Sequence, residues 1–130
     1  MDKVAGLCIR NKKLLVVHKR GETALLSLGG KREPGESDFE CLRREVQEEV
    51  GCNIVKPVHF ATYEGMAHDG KRTLRMTCYV VELEGDLRVN PADQIDGFVW
   101  VERDYEKQGV ELAGMLHSKI VPDLVKRGLL

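Results

Sequence analysis

The segment from Ser37 to Gly51 constrains this chain more than any other, because both ends of a helix are written into it. Ser37 followed by Glu40 has capping-box spacing, in which the serine hydroxyl meets a backbone N–H three residues on and the glutamate reaches back. Asp38 adds negative charge to the first turn, where the helix dipole favours it. Gly51, after Val50, supplies the residue type that ends helices in a left-handed conformation. Between these ends Phe39, Leu42, Val46 and Val50 fall on one side and form an apolar stripe. Glu45 and Glu49 flank the stripe, and Glu48 lies almost opposite it. The spacing therefore predicts a helix that buries one face and offers carboxylates on another.

The elements around it follow from shorter signals. Val4 to Ile9 and Lys13 to His18 read as strands joined by a tight turn at Asn11-Lys12. A short strand from Ala24 to Leu28 runs into Gly29-Gly30, and GGKREPGES reads as a loop because paired glycines and a Pro-Gly step interrupt both regular periods. Val55 to Glu64 and Leu74 to Glu82 are extended, with Asp69-Gly70 as the turn of a long hairpin. Leu87 to Val89 reads as a short edge strand. Phe98 to Val101 reads as a buried one, after the polar loop NPADQIDG. Leu112 to Lys126 has helical periodicity, bent or restarted at Pro122. With no linker, repeat or low-complexity tract, these elements describe one mixed α/β domain over residues 1–130, with helices packed on a curved sheet.

A chain of 130 residues is long enough to bury a true core without a disulfide or structural metal. Its 20 Lys and Arg against 21 Asp and Glu give a net charge of -1, a poor footprint for long nucleic acids. No run approaches the roughly 18 apolar residues of a membrane span, and MDKVAGLCIR lacks a signal-peptide hydrophobic segment, so the chain reads as soluble and cytoplasmic. Cys8, Cys41, Cys52 and Cys78 show neither the density of a secreted disulfide framework nor CxxC spacing, and read as buried free thiols.

Glu45, Glu48 and Glu49 form one i,i+3 pair and one i,i+4 pair, close enough to repel one another and raise their pKa values. Arg43 and Arg44 offset part of that repulsion. A hard divalent ion such as Mg²⁺ would offset more, since it takes oxygen ligands and keeps waters for substrate phosphates. Lys31 and Arg32 add positive charge where such phosphates would lie. On their own, three glutamates on a helix also fit a merely solvated face.

GGKREPGESDFECLRREVQEEVGC resembles the signature of the Nudix hydrolases: G, five residues, E, seven residues, RE, an aliphatic, one residue, EE, one residue, G, then an aliphatic. Gly30, Glu36, Arg44-Glu45, Val46, Glu48-Glu49 and Gly51 meet it, and only Cys52 stands where Ile, Leu or Val is usual. This box spans residues 30–52, and the element order agrees with the family over nearly the whole chain. The resemblance implies an α/β/α sandwich with a mixed curved sheet. It implies Mg²⁺ as cofactor, with Mn²⁺ as the alternative, held by Glu45, Glu49 and Glu48 with the carbonyl of Gly29 nearby. Arg44 and Glu36 would brace the loop against the helix. Two departures stand out: Leu28 precedes the glycines where many relatives have proline, and Gln94 occupies the place of a distal glutamate. Asp93, Asp96 and Glu48 are then the alternatives for the base that activates water.

The implied reaction is hydrolysis of a phosphoanhydride in a nucleoside triphosphate or nucleoside diphosphate derivative, releasing a nucleoside monophosphate. Its catalytic residues would be Glu48, Glu45, Glu49 and Arg44. Lys31, Arg32 and Arg72 are candidates for the phosphates, and Tyr63, with Phe60 and Met66, for the nucleoside, although such residues at strand spacing equally suit a core. The rival readings are a dinucleoside polyphosphate, cap, ADP-ribose or sugar-nucleotide hydrolase, and a nucleotide sensor that lost turnover through Gln94. The expected partner is a small nucleotide, with no membrane and no long nucleic acid; relatives often form homodimers.

Overall fold

The runs VAGLCI and LLVV are apolar at successive positions instead of alternating, the pattern of strands covered on both faces. In the computed structural model, which describes residues 1–66 and 70–130, they form the middle of β1 (Asp2–Arg10) and β2 (Lys13–Lys19). Asn11 and Lys12 between them have φ of 52° and 59°, the left-handed pair that matches a two-residue hairpin to strand twist. With β3 (Leu26–Lys31), β4 (Asn53–Met66), β5 (Thr73–Glu84) and β6 (Ile95–Val101), they make one sheet in the order β4-β5-β1-β3-β2-β6. Strand β1 runs parallel to β5, while the other neighbours are antiparallel.

Alternation along each strand divides the core into two layers. Val4, Cys8, Leu15, Val17, Leu28 and Val81 meet Leu42, Val46 and Val50 of α1 (Asp38–Val50) on one face. Ala5, Leu7, Leu14, Val16 and Cys78 meet Leu116, Ile120, Val121 and Leu124 on the other. Those last four belong to a wide π-type turn, Leu116–Ile120, and to α2 (Val121–Lys126). The result is an α/β/α sandwich, and each fully buried Leu or Val contributes about 1.5–3 kcal/mol. Among the described residues, no helix is long and apolar enough to cross a membrane. All four cysteines are buried and free. Burial pushes the Cys41 thiol up to about 11 and that of Cys78 to about 12, so neither is a ready nucleophile.

Several local expectations shift. Gly29, Gly30 and Lys31 belong to β3, and the loop begins only at Arg32. Leu87 to Val89 form no strand; the segment crosses the end of α1, where the Arg88 N–H donates to the Val50 carbonyl at 2.9 Å. Phe39 stands 37% exposed under the Arg43 guanidinium, and Cys41 takes its place in the helix's buried face. The hairpin pairs β4 with β5 from Asn53–Glu84 to Met66–Thr73, but the Asp69 half of the expected turn lies outside the described residues. The helical tail widens before Pro122, whose ring would crowd the Ser118 carbonyl in a regular α-helix.

Candidate active site

Helix α1 starts as its sequence requires. The Glu40 N–H donates to Ser37 Oγ at 3.1 Å, and the Ser37 N–H donates to Glu40 Oε1 at 3.0 Å. A cap of this kind contributes about 1 kcal/mol and fixes where the helix begins, hence which residues face the sheet. Gly51 closes the other end at φ 69°.

Two glycines bring the helix down onto β3. A Cβ on Gly30 would lie 2.6 Å from Glu45 Cδ and 2.7 and 2.8 Å from its two oxygens. Gly29 has φ 115°, and a Cβ there would lie 2.0 Å from the Val4 carbonyl oxygen. With no side chains in the way, the carboxylates of Glu45 and Glu49 lie along the strand, and the Gly29 N–H donates to Glu49 Oε1 at 2.9 Å. Both line a cleft of about 300 Å³ together with Asp93, and Lys3, Lys19 and Lys31 complete its charged walls.

The electrostatics of this cleft are strained. Glu49 is 7% exposed, and burial pushes its carboxyl up to about 8 against the stabilising Gly29 N–H; the charges of Glu45 and Asp93 push the same way as burial. Burial also raises Glu45, opposed by its hydrogen bond from Arg44, with Glu48 and Asp93 adding repulsion. On the cationic side, Lys3 and Lys31 are directly opposed in the β1–β3 register. Like charges so placed are unfavourable. Among the described residues, none of Lys3, Lys19 and Lys31 forms an ion pair.

Arg44 organises the rim. Its Nε and Nη2 donate to the two Glu36 oxygens at 2.8 and 2.9 Å, Nη1 donates to Glu45 Oε1 at 2.9 Å, and Nη2 reaches the Lys31 carbonyl at 3.3 Å. Those bonds, with the Glu33 N–H on Glu36 Oε1, hold the Glu36 carboxyl down to about 2. The fork geometry of the guanidinium ties the loop's far end to the helix and aims Glu45 at once. Glu48 receives only a 3.5 Å contact from Arg44 and stands outside the cleft lining.

Among the described residues, no three His, Cys, Asp or Glu side chains converge as a metal site. Glu45 and Glu48 turn toward Arg44, and Glu49 toward Gly29. The donor chemistry nevertheless fits a hard divalent ion. Glu45, Glu49 and Asp93 offer oxygen alone and lie on one cleft, and burial with neighbouring negative charge raises Glu45 and Glu49 in a way that a bound cation would relieve.

Other expected residues lie elsewhere. Arg32 pairs with Asp38 at 2.9 Å and Asp2 at 3.0 Å beside a separate polar cavity lined by His59, Arg75 and Tyr79. The Tyr63 hydroxyl donates to Asp123 on the α2 face, where Phe60 is also buried. Arg72 is exposed just before β5, and Met66 is exposed at the end of β4. Of the alternatives for the base, Asp96 is engaged by Arg20 at 3.1 Å, whereas Asp93 lines the cleft. Gln94 adopts φ 63° and is exposed. Lys3 and Lys19 were not apparent from sequence, because a lysine at a strand end carries no sign of the strand beside it. Glu49's burial had a signal: it lies seven residues after Leu42, about 20° away around the helix.

A sequence model of the NUDIX domain matches residues 2–120. No curated protein gives a match. Among solved structures, a NUDIX hydrolase from Nitrosomonas europaea has a TM-score of 0.76 at 21% identity, over 98% of this chain and 88% of its own. The E. coli ORF135 protein has 0.70 at 25% identity, over 86% and 79%. A MutT NUDIX hydrolase from Burkholderia pseudomallei has 0.71 at 17% identity, over 79% and 83%.

Proposed function

The chain belongs to the Nudix hydrolase family, and on that premise we propose that it hydrolyses a phosphoanhydride in a nucleoside triphosphate or nucleoside diphosphate derivative, with Mg²⁺ bound and a nucleoside monophosphate released. The observation that carries this reading is one cleft holding Glu45, Glu49 and Asp93 beside Lys3, Lys19 and Lys31, with none of the lysines in an ion pair within 4.0 Å of a carboxylate among the described residues. A phosphate chain carrying a divalent cation supplies the missing partner to both sets.

In this reading Glu45 and Glu49 hold the ion, and the Gly29 N–H and Arg44 keep their carboxylates aimed. The ion, when bound, supplies charge neutralisation at the phosphoryl oxygens and acidifies water. Lys3, Lys19 and Lys31 bind the phosphate chain and orient it along the cleft. Asp93 accepts a proton from the attacking water as its oxygen bonds to phosphorus. The bond to the bridging oxygen breaks, and the leaving phosphate keeps the electron pair. Mn²⁺ suits the same donors, and the cytoplasm is the compartment that fits four reduced thiols.

The test is to incubate the protein with Mg²⁺ and a panel of nucleoside triphosphates, ADP-ribose, sugar nucleotides and dinucleoside polyphosphates, then separate the products. A nucleoside monophosphate released with pyrophosphate or a phosphorylated leaving group, and abolished by chelator, is the expected result. Tight nucleotide binding without turnover of any member would overturn the proposal in favour of a sensor.

A further inference from the structure

The last carbonyls of an α-helix have no partner within it. In α1 the Gln47 carbonyl takes the Gly51 N–H at 3.1 Å, but the next ones are met from a distant part of the chain. Asn90 Nδ2 donates to the Glu48 carbonyl at 2.5 Å, and the Arg88 N–H donates to that of Val50 at 2.9 Å. Asn90 also works in the other direction. Its own carbonyl accepts from the Asp93 N–H at 3.0 Å and the Ile95 N–H at 3.1 Å, closing the 3₁₀ turn Pro91–Asp93. Beyond that turn, Gln94 is held left-handed, with its N–H on the Pro91 carbonyl at 3.0 Å and its carbonyl taking the Arg20 N–H at 2.7 Å. Asp93 is thus gripped on both sides, half-buried on the cleft wall, and near enough for its charge to act on Glu45 and Glu49.

We propose that Asn90 is a positioning residue: by bonding the last turn of α1 with its side chain while closing the 91–93 turn with its carbonyl, it sets Asp93 against the Glu45–Glu49 pair. Its catalytic consequence rests on the phosphoanhydride-hydrolase reading. The amide is the fitting side chain, because it reaches the helix with a donor. The carboxylate of Asn90→Asp would instead set negative charge against the Glu48 carbonyl oxygen, and Asn90→Ala leaves that oxygen without its donor.

The test uses both substitutions, each alone and combined with Asp93→Asn. Hydrogen exchange in the purified protein reads the clamp without any substrate. The Asp93 and Ile95 amides should exchange about tenfold faster in either single variant, with the middle of α1 at the wild-type rate. Unchanged exchange at those amides, or faster exchange throughout α1, would overturn the clamp. Kinetics then read the positioning role. On the best nucleotide substrate, kcat should fall about 10- to 100-fold with KM within about threefold, and should fall no further in the Asp93→Asn background. Equal losses with and without the Asp93 carboxylate would overturn it. Absence of turnover by the wild-type protein on every nucleotide would remove the catalytic half along with the reading it rests on, while exchange would still decide the clamp.

Discussion

In Gly30→Ala the new methyl group meets one carboxylate. Its three nearest neighbours are all atoms of the Glu45 side chain, at 2.6, 2.7 and 2.8 Å. An ordinary carbon contact needs about 3.5 Å, so the Glu45 carboxylate must retreat by about 1 Å. Gly30 is not in the left-handed region, so alanine brings no backbone strain. Its stiffer unfolded chain contributes roughly 0.4–1 kcal/mol of stability, against about 1–3 kcal/mol for overpacking that a flexible side chain largely relieves. The net change in stability should stay within about 2 kcal/mol. Activity should not be spared, because a displacement of about 1 Å in a catalytic group costs on the order of 100-fold in rate. Gly29→Ala is the control in which stability is lost as well. Its methyl would sit 2.0 Å from the Val4 carbonyl oxygen at φ 115°, so the β1–β3 pairing itself must give and stability should fall by several kcal/mol. The assay is kcat/KM at saturating Mg²⁺ alongside urea and thermal unfolding. Wild-type turnover in Gly30→Ala, or a loss of stability equal to that of Gly29→Ala, would refute the argument.

Metal binding should release a proton: Glu49 holds one up to about pH 8 when metal-free, so Mg²⁺ titrations at pH 7 in buffers of differing ionisation enthalpy should show close to one proton released, and none would contradict the assignment of Glu49. By the same linkage, a carboxyl whose pKa is raised on folding stabilises most below its unfolded value, so metal-free stability should decline as pH rises through about 8. Glu36 has the opposite sign: held down to about 2, it contributes stability that is full above the usual carboxylate value and is lost as pH falls toward 2. Arg44→Met should therefore narrow the gap between urea midpoints at pH 7 and pH 3 relative to wild type. Lys3→Gln relieves the opposition with Lys31 and should raise substrate-free stability by about 0.2–1 kcal/mol while increasing KM for a nucleoside triphosphate; an unchanged KM would remove Lys3 from the phosphate site.

The helix and its caps were legible in the sequence because their signals are local: Ser37, Glu40 and Gly51 act within a turn or two of themselves. Strands β1 and β2 were legible because a run such as LLVV suits burial on both faces. Gly29 and Gly30 read as loop in the sequence and are strand in the fold. Paired glycines usually signal a turn, but here they stay in β3 because Val4 and Glu45 approach where a Cβ would stand, and neither neighbour is local in sequence. Phe39 fits the apolar stripe by angle but lies in the first turn and stays exposed under Arg43, while Cys41 is buried. At the cleft, the carboxylate helix was visible and the opposing wall was not. Lys3 and Lys19 reach it because β1 and β2 flank β3 on either side in the sheet. Asp93 could be narrowed from Asp96 only once Arg20 was seen to hold the latter. Arg32 and Tyr63 have chemistry suited to a nucleotide, yet nearby Asp38 and Asp123 engage them first.

The account turns on Glu49 as a ligand for the divalent ion, and Glu49→Gln tests it most directly. Glutamine keeps an oxygen to accept the Gly29 N–H but cannot carry the charge, so the metal-free variant should unfold no earlier than wild type at pH 9, where the native carboxyl is ionised at a buried site. At saturating Mg²⁺, its kcat/KM on the nucleotide that wild type hydrolyses best should fall by about 100-fold or more. A folded Glu49→Gln protein that turns over within about threefold of wild type would contradict the metal-holding role and the mechanism built on it.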